Sequence, residues 1–362
     1  MKFYLGEHPK EYMSEILLQE KPKKVFLVHG KGSYKTCGAE LFISESLSKE
    51  IDCFSFWDFE ENPKEEDLQR GLSLLKDKNI DLVIAIGGGS VLDMAKLLRF
   101  YYNLKVPLVA IPTTAGTGSE ATHFAVLYKD GIKHSIADEK ILPNYAIINY
   151  KFTLNTPAYL TACAGFDALA QAIESYWNVN ANKESLEYSK KAISLLWGNL
   201  PIAVNSPTIE VRKKIAEGSF WAGRAINKTK TSAPHACSYP FTMHYGYPHG
   251  HAVALTFPYW AEYNISLNLQ NLSNSLDKNE YISRLEYLKV VLGLSIGSDI
   301  YSFFKSYISS LGLKSLSKIQ INLSAIKKEI NVDRLSNNPI KIRESDIDLL
   351  LNILSLDDKK PN

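Results

Sequence analysis

Acidic and amide residues occur at helical spacing in an otherwise apolar segment in the middle of the chain. Asp167, Gln171 and Glu174 stand at i, i+4 and i+7 in GFDALAQAIESYW, so they share one face of a predicted helix. Alanine, leucine and aromatic residues flank them, which predicts that this face is buried. A buried carboxylate needs a partner, and a cation is a suitable one.

Histidines are concentrated a short distance downstream. Four of the eight histidines fall between residues 235 and 251, namely His235, His244, His249 and His251. A single histidine is more often structural, but a cluster that follows an acidic helical face favours a divalent metal site. One aspartate and two histidines with open coordination positions suit Zn²⁺ or Fe²⁺ acting as a Lewis acid.

Glycine-rich and hydroxyl-rich loops follow short apolar strands in the first part of the chain. The first, Gly87-Gly88-Gly89-Ser90, follows DLVIAI and precedes the predicted helix VLDMAKLL. Three glycines let the backbone approach a pyrophosphate, and the amides of the helix N-terminus donate to it. Ser90 and Asp93 have the S-x-x-D spacing of a helix cap. The motif is not GxGxxG, and taken alone it is equally consistent with a tight turn.

A second loop strengthens the dinucleotide interpretation. TTAGTGSEAT follows the apolar run VPLVAIP, and HGKGS follows the earlier run KKVFLV. Polar loops at the ends of several apolar strands predict a dinucleotide crevice. The predicted dinucleotide-binding residues are Gly30, Lys31, Ser33, Gly87, Gly88, Gly89, Ser90, Asp93, Thr113, Thr114, Thr117, Gly118, Ser119, Thr122 and Lys133.

The order of these patterns predicts the fold class. Apolar strands alternate with helical segments up to about residue 153, which is typical of βαβ units and a parallel sheet. Long amphipathic helical segments follow. We therefore expect an α/β dinucleotide-binding domain over residues 1–153 and an all-α metal- and substrate-binding domain over residues 154–362.

Composition excludes several classes of protein. The 362 residues carry a net charge of only +2, which gives no general attraction to nucleic acid or to an anionic membrane. The four cysteines form no CxxC pair, the first residues lack the apolar segment of a leader peptide, and no apolar run is long enough to span a bilayer, so we expect neither a leader nor a membrane span. We expect a cytoplasmic protein with a small-molecule substrate and neither a nucleic-acid nor a membrane partner.

The motifs together resemble the iron-containing (group III) alcohol dehydrogenase family over nearly the whole length. The matching segments are GGGSVLDMAK, IPTTAGTGSEAT, GFDALAQAIE, HACSYP, PHGHAVAL and RLSNNP, in that order. The resemblance implies the dehydroquinate synthase-like fold, NAD or NADP, one divalent metal ion and a homodimer.

The resemblance also implies a ligand set, with one departure. The positions of the family's metal ligands are Asp167, Gln171, His235 and His249, and Gln171 replaces a histidine. A glutamine oxygen is a weaker neutral donor, so either it ligates or water takes its place. Tyr239 stands where many members carry a further histidine that relays protons, and His244 is a second candidate relay.

Substrate and dinucleotide are predicted less directly. The chain is similar to the branch with phosphonoacetaldehyde reductases and ulosonate 8-oxidases, whose substrates are anionic. Arg224, Lys228 and Lys230 could meet such an anion, although a solvated basic helix end explains them equally well. Gly30 and Lys31, with no acid in their loop, favour NADP(H), and NAD(H) stays open.

We predict an NAD(P)-linked, metal-dependent alcohol dehydrogenase or aldehyde reductase. Two alternatives stay open. One is a dehydroquinate synthase-like lyase, which would use its dinucleotide transiently. The other is a dinucleotide-binding protein whose metal site has decayed at Gln171.

Overall fold

The computed structural model describes residues 1–130, 132–266, 269–295, 297–316 and 322–357. The side chains of Ile132, Lys133, Leu323, Ser324, Leu356 and Asp357 are also outside the description. The strands are β1 (Lys2–Leu5), β2 (Lys24–His29), β3 (Asp52–Phe56), β4 (Leu82–Gly87), β5 (Leu108–Pro112), β6 (Phe124–Lys129), β7 (Ile132–Ala137) and β8 (Tyr145–Ile148).

Six of these strands form one parallel sheet in the order β1-β8-β5-β4-β2-β3, and β6 and β7 form an antiparallel hairpin. The central strand β4 is buried along its whole length, because helices cover both faces of a parallel sheet, and its sequence is accordingly a continuous apolar run. Its residues alternate between two cores: Ile84 and Ile86 face one layer, Val83 and Ala85 the other.

Helices cover both faces of the sheet and make up most of the chain beyond it. In the first part these are α1 (Pro9–Glu20), α2 (Ser33–Thr36), α3 (Ala39–Ser46), α4 (Glu65–Leu75) and α5 (Gly89–Tyr102). Those that follow are α6 (Ala158–Trp177), α7 (Lys183–Leu196), α8 (Leu200–Asn205), α9 (Ile209–Thr229), α10 (Ala233–Tyr245), α11 (His249–Ile265), α12 (Lys278–Leu292), α13 (Ile300–Ser310), α14 (Leu323–Lys328), α15 (Val332–Leu335) and α16 (Glu344–Asp357).

The predicted fold class is confirmed: a parallel α/β unit precedes a helical one. The first compact unit comprises Met1–Thr156 together with Arg212–Gly223, and the second comprises Pro157–Val211 with Arg224–Asn362. Sequence patterning assigned residues 212–223 to the helical domain instead. They belong to the first unit because Ala216 and Phe220 of α9 share a core with Ile148.

Among the described residues, every helix is too short or too polar to span a lipid bilayer.

Candidate metal and dinucleotide sites

Helices α6, α10 and α11 bring three potential metal ligands together. His235 Nε2 lies 3.0 Å from Asp167 Oδ1, and His249 Nε2 lies 3.9 Å from the same oxygen. One ligand atom from each of the three residues lies within 4.8 Å of the others. Asp167 and His235 are buried, whereas the His249 side chain is one-third exposed. The cluster is therefore open on one side.

Glu174 determines which nitrogen of His235 faces Asp167. Its Oε1 pairs with His235 Nδ1, which leaves Nε2 directed at Asp167. Its Oε2 accepts hydrogen bonds from the backbone N–H of Ser232 at 2.7 Å and from the Ser232 hydroxyl at 3.1 Å. A carboxylate that holds the second ring nitrogen of a ligand histidine in this way fixes both its orientation and its tautomer.

The electrostatics of the cluster favour positive charge. Burial alone would raise the pKa of Asp167, but the neighbouring His249 and His235 outweigh it and lower that pKa. Burial alone would lower the pKa of His235, but Glu174 and Asp167 raise it to about 10. Two buried carboxylates on either side of one imidazole thus stabilise a cation at this position.

A glycine allows α11 to approach α6 closely enough to deliver His249. A Cβ at Gly250 would lie 1.9 Å from the carbonyl oxygen of Cys163 and 3.0 Å from Cβ of Asp167. The His249 ring then stacks on Tyr239, with centroids 5.7 Å apart and planes 8° from parallel. Tyr239 therefore contacts the ligand ring that is most accessible to solvent.

The donor set fits a divalent ion. One carboxylate and two imidazoles are suitable ligands for Zn²⁺ and for Fe²⁺. Gln171, one helical turn after Asp167, is buried, and its side chain hydrogen-bonds to the Asp167 carboxylate. The structure thus places Gln171 against the cluster, and whether it ligates a metal stays a prediction.

The other two clustered histidines do not belong to this group. His244 is exposed and pairs with Glu329 at 2.6 Å, so it is not placed to relay a proton to the cluster. His251 is buried, with Nδ1 2.8 Å from the Tyr159 hydroxyl and Nε2 2.8 Å from the carbonyl oxygen of Lys314. Both rings make structural contacts.

Two of the residues predicted to bind an anionic substrate already have a carboxylate partner within the protein, namely Glu184. Lys228 pairs with Glu184 at 2.9 Å, and Arg224 lies 3.7 Å from Glu184 and donates to the Tyr188 hydroxyl. Lys230 is the exposed C-cap of α9. These contacts favour the solvated helix end over the anion site.

In the first unit, strand register brings the glycine turn and the hydroxyl loop to one edge of the sheet. Gly87 pairs with Pro112, so the residues that follow each strand are neighbours. A Cβ at Gly88 would meet only Thr114, at 3.5 Å, whereas one at Gly89 would lie 2.7 Å from Thr117. Gly88 thus offers a backbone surface that a pyrophosphate could approach, and Gly89 lets the two loops pack.

The predicted cap at Ser90 and Asp93 is wrong. Helix α5 begins at Gly89, after Gly88, with no side-chain cap. The Ser90 hydroxyl accepts from the backbone N–H of Asn62 at 3.0 Å, and Asp93 accepts from Ser119 and from the backbone of Val126. The S-x-x-D spacing is that of a helix cap, but the Asp93 carboxylate accepts its hydrogen bonds from the segment after β5 instead of from the start of α5.

Buried Lys96 organises the hydroxyl-rich loop. Its ammonium donates to Ser119 Oγ at 2.8 Å, to Thr122 Oγ1 at 3.3 Å and to the carbonyl oxygen of Phe124 at 2.8 Å. Ser119 and Thr122, both predicted to bind the dinucleotide, are almost completely buried. Their hydroxyls hold the loop in shape.

The other residues of the hydroxyl-rich loop are also closely packed. Gly118 adopts a positive φ of 63°, and a Cβ there would lie 2.5 Å from Cα of Gly223 in α9. Thr113 is buried and donates its backbone N–H to the Gly87 carbonyl. Thr114 and Thr117 stay beside the glycine turn, where the predicted ligand would lie.

The loop after β2 carries the remaining predicted residues. Lys31 pairs with Glu60 and Asp58 from the loop after β3. A Cβ at Gly30 would lie 2.8 Å from Ser33 Oγ, so the loop turns tightly. The Lys133 side chain lies outside the described residues.

These features define a class of protein: a parallel α/β unit with a glycine turn suited to a phosphate, and a helical unit with a largely buried carboxylate–imidazole cluster suited to a metal ion. A family model described as iron-containing alcohol dehydrogenase matches residues 1–150, and one described as Fe-containing alcohol dehydrogenase family, C-terminal, matches residues 161–352. The chain belongs to the iron-containing alcohol dehydrogenase family.

Individual relatives support this family assignment. The chain is 29% identical over 294 residues to aldehyde-alcohol dehydrogenase 2 of Entamoeba histolytica, and the alignment covers 73% of this chain and 33% of that protein. It therefore spans a third of that relative's length. It is 31% identical over 273 residues to a 1,3-propanediol dehydrogenase of Citrobacter freundii, which covers 70% of each. An iron-containing alcohol dehydrogenase of Thermotoga maritima has a TM-score of 0.81 at 26% identity, covering 98% of this chain and 97% of that one.

Sequence reasoning missed two contributors. Glu174 was grouped with Asp167 by spacing but was given no role, although a carboxylate two turns along a ligand's helix face is a candidate for holding a ligand histidine. Lys96 is not singled out by any motif, and only its buried contacts with Ser119 and Thr122 show its structural role.

Proposed function

We propose that this protein is a metal-dependent, NAD(P)-linked alcohol dehydrogenase or aldehyde reductase that acts on a small carbonyl or alcohol. The observation that carries the proposal is the cluster of buried Asp167 and His235 with partly exposed His249, in which Glu174 holds His235 from the other side. When bound, the metal ion would supply a Lewis acid, and the dinucleotide would supply or accept a hydride.

The chain's own residues would hold and orient these groups. Asp167, His235 and His249 would bind the ion, and Fe²⁺ and Zn²⁺ both suit them. Burial of Asp167 and His235 excludes water from one side of the cluster, and the exposed part of His249 marks the accessible side. Tyr239, stacked on His249, carries a hydroxyl that can hold or move a proton there.

The dinucleotide would lie on Gly87, Gly88 and Gly89, whose backbone amides at the start of α5 suit a pyrophosphate. Thr114 and Thr117 border this turn. The substrate is proposed only as a small aldehyde or alcohol. Phosphonoacetaldehyde-like and sugar-acid substrates stay predictions, and the Glu184 pairs with Arg224 and Lys228 give them no support. The homodimer also stays a prediction.

The test combines turnover with metal analysis. Protein reconstituted with Fe²⁺ or Zn²⁺ is assayed with NADH and NADPH against plain, hydroxylated, carboxylated and phosphonylated aldehydes. Asp167→Ala and His249→Ala are expected to lose metal and turnover together while circular dichroism shows a folded protein. His244→Ala is the matched control and keeps both, because His244 contacts Glu329 instead of the cluster.

Three results would contradict the proposal. Full turnover in the presence of a strong chelator, with no metal detected, would show that the cluster does not bind a metal ion needed for catalysis. Product formation without stoichiometric consumption of the dinucleotide would favour the lyase, and a protein that binds dinucleotide but never metal would favour the decayed site.

A further inference from the structure

A charged cluster lies at the carboxyl ends of β2 and β3. The two strands are parallel, with Val28 opposite Phe56, so the loops that follow them leave the same edge of the sheet. Lys31, in the first loop, places its Nζ 3.1 Å from Glu60 Oε1 and 3.6 Å from Asp58 Oδ1, both in the second loop. Glu60 and Asp58 raise the pKa of Lys31, as expected for a cation beside two carboxylates.

The acidic loop is held from behind by α4. Arg70 donates to the backbone oxygen of Asp58 at 2.6 Å and lies 3.3 Å from its Oδ2. The backbone N–H of Glu60 donates to Asp67 Oδ2 at 3.3 Å. Both carboxylates are thus presented to Lys31 by a loop whose backbone is fixed. In this cluster three carboxylates, those of Asp58, Glu60 and Asp67, outnumber the two cations.

The cluster is adjacent to the glycine turn where the pyrophosphate is proposed to bind. β2 lies beside β4, with His29 opposite Ile86, so Gly30 and Lys31 emerge next to Gly87. In parallel α/β sheets the adenosine ribose extends from the glycine turn over the end of the neighbouring strand. An acid there holds the 2′-hydroxyl, and a cation that is available there accepts a 2′-phosphate.

We propose that Asp58 and Glu60 are specificity-determining residues that occupy Lys31 and thereby select NAD(H) over NADP(H). The Gly30-Lys31 loop alone favours NADP(H), but its lysine is already paired with carboxylates from a different strand end. A 2′-phosphate would have to displace both carboxylates and would be repelled by them. This inference rests on the proposed function only in that the protein binds a nicotinamide dinucleotide.

The test measures binding without any aldehyde. NADH and NADPH are titrated into the protein, and the dissociation constants are read from the fluorescence of the reduced nicotinamide. Wild type is compared with Asp58→Asn/Glu60→Gln, with the same double variant carrying Lys31→Ala, and with Glu61→Gln. The last is a matched control, because Glu61 is an exposed neighbour in the same segment.

Wild type is expected to bind NADH more tightly than NADPH. The double variant should bind NADPH roughly fivefold more tightly relative to NADH, a modest gain because the pairs are solvent-exposed and screened by salt. Glu61→Gln should keep the wild-type ratio. Adding Lys31→Ala should abolish the gain, because the released ammonium is what meets the phosphate.

The outcomes separate the two proposals. If wild type binds neither dinucleotide, the proposed function fails and this inference fails with it. If wild type binds NADPH as tightly as NADH, or if the double variant leaves the ratio unchanged, only the selectivity role is overturned. If the gain in relative NADPH affinity persists with Lys31→Ala, or if Glu61→Gln also produces it, the effect is one of general charge. Either result would also overturn the selectivity role.

Discussion

At the scale of single residues, the candidate metal site depends on side chains whose roles differ although their chemistry is similar. Asp167 and Glu174 are both buried carboxylates on α6. Asp167 faces two imidazoles as a potential ligand, whereas Glu174 fixes one of those imidazoles from behind. A substitution at each position should therefore have a different consequence.

Replacing Glu174 tests the positioning role. Glu174→Gln keeps the size of the side chain but removes the charge that holds His235 Nδ1, so His235 Nε2 becomes a weaker and less constrained donor. We expect metal affinity to fall by roughly 10- to 100-fold, as is typical for the partners of ligand histidines. Competition with a calibrated chelator measures the affinity, and circular dichroism checks the fold. The exposed Glu187→Gln serves as the control, and unchanged affinity in Glu174→Gln would show that Glu174 is merely a packing residue.

Gln171 is the residue at which this chain departs from its family's ligand pattern. Gln171→His should raise metal affinity by about 1–3 kcal/mol if the imidazole reaches the ion, the range of charge-assisted contacts. Turnover need not rise, because a fourth protein ligand can crowd the substrate's position. Gln171→Leu is the control and should give no gain. Equal or weaker binding in the histidine variant would mean that position 171 does not face the metal.

At the scale of elements, close backbone approaches position the functional groups. Gly250 lets α11 reach α6, and Gly118 with Gly223 lets the hydroxyl-rich loop reach α9. Gly87 and Gly89 serve the turn between β4 and α5, since a Cβ at either would lie within 3 Å of Val91 or Thr117. These glycines serve packing, which leaves Gly88 as the one most suited to contact a ligand.

Gly88→Ala therefore separates ligand binding from folding. The added methyl group would meet Thr114 at an ordinary van der Waals distance, so the fold should be unaffected. It would stand where the pyrophosphate approaches the backbone, and we expect dinucleotide affinity to fall about tenfold, or ~1.4 kcal/mol. NADH titration measures the affinity and thermal unfolding checks stability. Gly198→Ala, at which a Cβ meets nothing within 4 Å, is the control. Wild-type affinity in Gly88→Ala would place the pyrophosphate elsewhere.

At the scale of the whole molecule, the first unit buries titratable groups that affect its stability. Glu120 lines a small pocket with Thr114, Asn149 and Ser219, which come from distant parts of the chain. Burial raises the pKa of Glu120 to about 7 and lowers that of Lys96 to about 8. Both groups are constrained because the loop between β5 and β6 is packed inside the unit.

The raised pKa of Glu120 predicts the direction of a pH effect. The folded state binds the proton more tightly than the unfolded state, so the stabilisation is complete below the ordinary pKa of 4.5 and is lost as the pH rises through about 7. Over that interval Glu120 contributes a decrease of up to about 3 kcal/mol in the free energy of unfolding.

Glu120→Gln cannot titrate, so its free energy of unfolding should change correspondingly less with pH. Urea unfolding between pH 4.5 and pH 7.5 measures it, with the exposed Glu61→Gln as the control. Parallel profiles for wild type and Glu120→Gln would show that Glu120 stays ionised in the folded protein.

Local patterns in the sequence were sufficient for the fold class and for a short set of candidate metal ligands. Apolar strands followed by glycine turns specify parallel βαβ units, because the period of the pattern and the turn chemistry are local properties. The i, i+4, i+7 spacing places Asp167, Gln171 and Glu174 on one helical face for the same reason. The concentration of histidines then supplied candidates for the remaining ligands.

Only tertiary structure decided which candidates meet and what each one contacts. His235 and His249 join Asp167 while His244 and His251 do not, because helix packing around Gly250 determines which rings converge. Asp93, Ser119 and Thr122, which are predicted to bind the dinucleotide, also form a hydrogen-bonded group with buried Lys96, a set of long-range contacts that spacing does not encode. Lys31 acquired its carboxylate partners in the same way, since parallel pairing of β2 and β3 joins loops that lie far apart in the sequence.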